Sequence, residues 1–206
     1  MARQPRFLAL GDSYTIGTSV EAADRWPVQL AALLRERGIA VADPQIIATD
    51  GWTTGDLRAG VESAAPAGPY DLVSLLIGVN DQYRGLDVDA YRAEFRWLLR
   101  LAVSLAGGDP TRVIVLSIPD WSVTPFAEGR DRERIAGQIR QFNEVNRAET
   151  ASAGARYVDV MPSSRRAATL PGLIAADGLH PSGEMYTEWA ALALPAAAAA
   201  LQATRT

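Results

Sequence analysis

Two stretches of this 206-residue chain, Asp71-Leu-Val-Ser-Leu-Leu-Ile77 and Arg112-Val-Ile-Val-Leu-Ser-Ile118, are apolar at nearly every position rather than at alternate ones. A strand of that kind buries both faces, as central strands of parallel sheets do when helices cover them on each side. Shorter runs at 6–10, 45–48 and 156–160 bring the expected strands to five. Helical periodicity separates them, over 26–37, 54–63, 87–105, 130–152 and 182–203. The first of these helices follows Asp24 as a possible N-cap and stops at Gly38. The third sets Tyr91, Phe95, Leu98, Leu99 and Ala102 on one face and ends at Gly107-Gly108-Asp109-Pro110. The mixed-charge stretch 128–134 reads as a solvated loop and first helical turn. Strands alternating with helices imply an α/β chain with a covered parallel sheet, and the length suits one domain over 1–206.

Composition removes many chemistries. The chain has 20 Arg and no Lys, 24 acidic residues, one His and no Cys, for a net charge of -4. Without Lys there is no Walker A loop and no Schiff base. Without Cys there are no disulfides, thiol nucleophiles or thiolate metal sites. One histidine is fewer than the usual zinc enzymes use, so no metal site and no cofactor are expected. An acidic balance argues against a nucleic-acid partner, since phosphate binding needs clustered positive charge. The run Phe7-Leu8-Ala9-Leu10 is shorter than the about 7–15 apolar residues of a signal peptide. The stretch 190–201 is mostly alanine, contains Pro195 and is shorter than the ~20 residues of a membrane span. It reads as a C-terminal helix packed on the core, and a cytoplasmic location is the expectation.

Ligands of doubly wound sheets bind beyond the carboxyl ends of the strands. There this chain carries Gly11-Asp12-Ser13, Asp50-Gly51-Trp52 and Gly78-Val79-Asn80-Asp81, followed later by Asp177-Gly178-Leu179-His180-Pro181. A serine hydroxyl needs an adjacent base, and the base an orienting carboxylate. His180 is the only imidazole, hence the only candidate base for Ser13. Asp177, three residues earlier, can reach its Nδ1 through a turn, leaving Nε2 for Ser13. An oxyanion could take backbone N–H groups from Ser13 and Gly51 and the side-chain amide of Asn80. Singly, each residue also has a structural reading: Ser13 as a helix N-cap, His180 as a surface or capping residue, Gly51 and Gly78 as turn formers, Asn80-Asp81 as a cap.

Together these four blocks, in order over nearly the whole chain, resemble the SGNH or GDSL-type hydrolases. The resemblance implies Ser13 as nucleophile, His180 as base and Asp177 as its orienter, with Ser13 N–H, Gly51 N–H and the Asn80 side chain as oxyanion hole. It also implies a flavodoxin-like three-layer α/β/α sandwich with a five-stranded parallel sheet. Tyr14 replaces the leucine of the GDSL signature, and Thr49-Asp50 precede Gly51 where an Asn often stands. The Gly-x-Ser-x-Gly elbow of α/β-hydrolases is not met, because Thr15 occupies its second glycine position.

The expected activity is a serine esterase that cleaves small-molecule carboxylic esters of short to medium acyl chain through an acyl-enzyme on Ser13. Tyr14, Trp52, Tyr83, Trp121 and Phe126 follow strands or neighbour the motifs; they line an acyl pocket or pack beneath loops. Arg84 reads as a solvated arginine or as a contact for an anionic leaving group. The resembled scaffold also carries sugar O-acetyl esterase, lysophospholipase and thioesterase activities, and acyl transfer to an alcohol uses the same residues. A catalytically silent binding module is the alternative of another class.

Overall fold

All five residues of β1 (Phe7–Gly11) and of β3 (Leu72–Leu76) are buried, as are the four of β4 (Val113–Leu116). The continuous apolar runs are therefore the middle of a sheet. The computed structural model describes residues 3–202. With β2 (Gln45–Ala48) and β5 (Arg156–Val158), the strands pair in the order β2-β1-β3-β4-β5, every pair parallel. The helical segments are α1 (Ser13–Ile16), α2 (Trp26–Glu36), α3 (Thr54–Ala64), α4 (Val79–Tyr83), α5 (Val88–Leu105), α6 (Arg132–Ala153), α7 (Met161–Ser164) and α8 (Gly183–Gln202). α2 packs on α8 over one face of the sheet, while α3, α5 and α6 form the other layer. This is the expected three-layer sandwich.

Element ends differ from the periodicity where side chains take over backbone bonding. Strand β4 stops before Ile118 because Asn143 of α6 donates to the Ile118 carbonyl and accepts from its N–H, each at 2.8 Å. Strand β5 stops before Val160 because the Ser117 hydroxyl accepts from the N–H groups of Val160 and Met161. Asp24 does not cap α2. It lies in a single 3-10 turn, and Arg25 holds the cap position without a side-chain bond. Pro27, at the start of that helix, has no N–H to satisfy, which removes one reason for a polar cap. Asp87 does cap α5, accepting from Asp89 and Ala90. In α8, Met185, Tyr186, Trp189, Ala190, Ala193, Leu194, Ala197, Ala200 and Leu201 are buried, and the helix packs along α2. The last expected residue of that helix, Ala203, lies outside the described residues.

The order of the strands reverses between β1 and β3, so connections leave the sheet to opposite sides and a crevice opens beyond their carboxyl ends. Gly11, the last residue of β1, pairs with Leu76 of β3. A Cβ at Gly11 would lie 2.2 Å from Thr15 Oγ1 and 2.5 Å from the Leu76 carbonyl oxygen. Only glycine lets the chain turn from strand to helix this close to the neighbouring strand. Gly11→Ala is expected to destabilise the fold by about 1–3 kcal/mol through overpacking. Urea unfolding would then show a lower midpoint at an unchanged m-value.

Candidate active site

Ser13 is the first residue of α1, and Asp12, not Ser13, caps that helix: Asp12 Oδ1 accepts from Tyr14 N–H at 3.0 Å. The first N–H groups of a helix lack intrahelical acceptors. Asp12 takes up those of Thr15 and Ile16 with its carbonyl and that of Tyr14 with its carboxylate. The Ser13 N–H is not used in this way, and the Ser13 hydroxyl is spared capping duty. Both groups stand at the crevice.

Asp177 and His180 form one tight turn at the other end of the chain. Asp177 Oδ1 accepts from the backbone N–H groups of Leu179 and His180, each at 2.9 Å. Its Oδ2 lies 2.6 Å from His180 Nδ1. Partial burial works against charge on Asp177. The hydrogen bonds from the Ser19 hydroxyl, both backbone N–H groups and the imidazole outweigh it, and hold the carboxyl well below the usual range. With Nδ1 committed, the imidazole presents Nε2 to the crevice, where Asp50 Oδ1 approaches to 3.9 Å. The His180 ring is buried and meets the edge of Tyr14 at 5.6 Å between centroids.

Gly51 and Asn80 are brought together by the carboxylate of Asp81, which the sequence offers only as a cap. Asp81, buried in α4, accepts from both the N–H and the hydroxyl of Thr54 at the start of α3. This fastens the segment after β2 to the segment after β3. Asn80 Nδ2 donates to the Trp52 carbonyl at 2.9 Å, which fixes the amide and leaves its second N–H for the cleft. Gly51 has φ of 77°, a left-handed conformation that favours glycine, and a Cβ there would meet nothing within 4 Å. Arg84 is exposed, as a solvated arginine would be, yet both ends of its guanidinium are held. It donates to the Gly51 carbonyl at 2.8 Å and pairs with Asp56 at 3.6 Å, bracing the same turn.

Ser13, Tyr14, Asp50, Gly51, Val79, Asn80, Tyr83, Trp121, Phe126, Leu179 and His180 together line a cleft of about 240 Å³. Four of the five aromatic residues expected at a pocket are here. Tyr83, Trp121 and Phe126 form one wall, with centroids 5.8 to 6.3 Å apart. Trp121 is locked by its indole N–H donating to Gln82. Trp52 is the correction. Its ring lies over Gly60 of α3, where a Cβ would come within 2.3 Å of the indole, and it does not line the cleft. Glycine at 60 opened a resting place that local sequence around Trp52 does not reveal. Asp50, Val79 and Leu179 were missed, although each adjoins a motif residue. A larger hollow of about 530 Å³ between α5 and α6 surrounds the Arg96–Glu149 ion pair; Ser152 lines it, but no histidine and none of the motif residues does. Among the described residues, no three His, Cys, Asp or Glu side chains gather as a metal-ion site, and no helix is long and apolar enough to cross a membrane.

Residues 9–187 match the model of the GDSL-like Lipase/Acylhydrolase family. The chain belongs to that family. It is accordingly an ester hydrolase whose substrates are small-molecule esters. An acetylxylan esterase of Geobacillus stearothermophilus is 28% identical over 166 residues, covering 74% of this chain and 69% of the relative. The crystal structure of an acetylxylan esterase from the same organism superposes with a TM-score of 0.70 at 24% identity, covering 94% of each chain. That of a GDSL-like lipase from Parabacteroides merdae gives 0.75 at 17% identity, covering 97% of this chain and 98% of that one. The two superpositions agree with the sandwich fold.

Beneath the GDSL serine, Asp12 is fully buried, and its Oδ2 has no hydrogen-bond partner among the described residues. Burial, against the pull of the Tyr14 N–H and aided by repulsion from Asp81 and Asp50, raises its pKa from 3.8 to about 8. The folded protein thus keeps a proton that the unfolded chain releases near pH 4. The associated stability is fully present below about pH 4 and is lost as pH rises toward about 8. Asp12→Asn, isosteric with the neutral acid, is expected to flatten this slope. Thermal midpoints of the two proteins between pH 5 and 8, read from buffers spaced about one unit apart, check it: wild type declines more steeply than the variant.

Proposed function

We propose that this esterase works through an acyl-enzyme on Ser13. His180 Nε2 takes the Ser13 proton as Oγ attacks the acyl carbon, then passes it to the leaving alcohol; water activated by the same nitrogen releases the acid. Asp177 holds the tautomer and stabilises the imidazolium. The Ser13 and Gly51 N–H groups and the Asn80 amide receive the tetrahedral oxyanion. The observation that carries this reading is the 2.6 Å contact between Asp177 and His180 Nδ1, on a ring whose other nitrogen shares a small cleft with Ser13 and Asn80. No step requires a metal or an organic cofactor.

The cleft, at about 240 Å³, falls below the ~300–1,000 Å³ usual for drug-sized ligands, which supports short acyl groups over long ones. A sugar O-acetyl ester is the more specific reading. It is favoured by the acetylxylan esterase relative and by the aromatic wall of the cleft, in which Tyr83 and Phe126 are exposed beside buried Trp121 and can meet the apolar side of a sugar ring.

A fluorophosphonate probe is expected to add its mass to the peptide containing Ser13, and Ser13→Ala to lose both labelling and at least about 10³-fold in kcat on p-nitrophenyl acetate. Labelling elsewhere, or full activity of the variant, removes Ser13 from the mechanism. Asn80→Ala is expected to lower kcat by roughly 10²–10³ with little change in KM. Across p-nitrophenyl esters of rising chain length, kcat/KM should fall beyond short acyl groups. A higher kcat/KM on acetylated xylo-oligosaccharide than on p-nitrophenyl acetate would select the sugar-ester reading, and the reverse order would reject it.

A further inference from the structure

The geometry points to Ser19 as a positioning residue that latches the Asp177–His180 turn to the segment carrying Ser13. This inference rests on the proposed roles of Ser13, Asp177 and His180. The latch is a continuous chain of hydrogen bonds. The Ser13 carbonyl accepts from the N–H groups of both Gly17 and Thr18, at 2.9 and 3.1 Å, so the residues after α1 hang from the Ser13 backbone. The next residue, Ser19, donates its hydroxyl to Asp177 Oδ2, across 158 positions of sequence. The same oxygen meets His180 Nδ1. Oδ1 of that carboxylate is held within its own turn by Leu179 and His180 N–H. The turn thus orients itself internally; Phe126 N–H, donating to the Gly178 carbonyl, ties it to the aromatic wall, and Ser19 ties it to the segment that carries Ser13.

The backbone at Ser19 adds an independent observation. Its φ of 67° places an L-residue in the left-handed region, and among the described residues only Ser19 and Ala65 do this without being glycine. Ser19 is exposed, so packing does not impose the conformation. Glycine would adopt it more readily. A serine held there trades backbone ease for a hydroxyl aimed at Asp177. Displacement of a general base by a fraction of an ångström falls on the chemical step rather than on substrate binding.

Two variants separate the hydroxyl from the turn. Ser19→Gly removes the hydroxyl and suits the backbone; Ser19→Ala removes the hydroxyl and leaves the backbone conformation demanding. Both are compared with wild type by thermal midpoint, by kcat and KM on p-nitrophenyl acetate, and by proton NMR of histidine Nδ1–H. His180 is the only histidine in the chain, so that resonance has one source. The expected result is a roughly 10-fold fall in kcat at near-constant KM in both variants. The Nδ1–H signal should weaken through faster exchange with water, and Ser19→Gly should melt no lower than wild type. If Ser19→Gly keeps the wild-type kcat and Nδ1–H signal, Ser19 serves only the turn and the proposal fails. The NMR arm does not depend on turnover. A changed resonance in a protein whose Ser13→Ala variant remains fully active would uphold the latch while refuting the catalytic reading.

Discussion

The pairing of β1 with β2 on one side and β3 on the other sets the geometry of everything at the crevice. Because β1 is wholly buried between neighbours, its exit is confined. Gly11 passes against the Leu76 carbonyl, and the chain enters α1 with Ser13 already in the first turn. The β3 exit lies beside it and delivers Asn80 one short segment later. Neither residue reaches the crevice through a flexible arm, which is what a precise reaction geometry demands of its scaffold.

The polar groups under the cleft serve this placement more than they serve chemistry. Asp12 caps α1, Asp81 fastens α3 to α4, and Arg84 braces the Gly51 turn. The two buried acids are tolerated because each accepts hydrogen bonds, although burial raises the pKa of both. Carboxylates thus gather around Ser13, and one of them, Asp177, meets the imidazole of His180.

Much of the sheet was legible because strands buried on both faces write themselves as unbroken apolar runs, as 71–77 and 112–118 do. The motif residues were legible for a different reason. Chemistry permits few substitutes for a lone imidazole, a serine after a strand and an amide near a glycine turn, and their order along the chain matched a known family. What stayed hidden depended on contacts between distant segments. Trp52 looked like a pocket residue until Gly60 gave its ring a place to lie. Asp24 looked like a cap, but the chain turned one residue later. Arg84, Asp81 and Ser19 carry no local signature, since their partners lie 27 to 158 positions away.

The separation of Ser13 from His180 also bears on how the molecule comes to be made. A growing polypeptide emerging from a ribosome completes all five strands before residue 180 is added, and the helix after it must still dock on α2. Under the proposed mechanism, the serine has no base until then. On that mechanism, hydrolysis therefore waits on a residue added after every strand, and a chain interrupted before the histidine carries the serine without the group that would activate it.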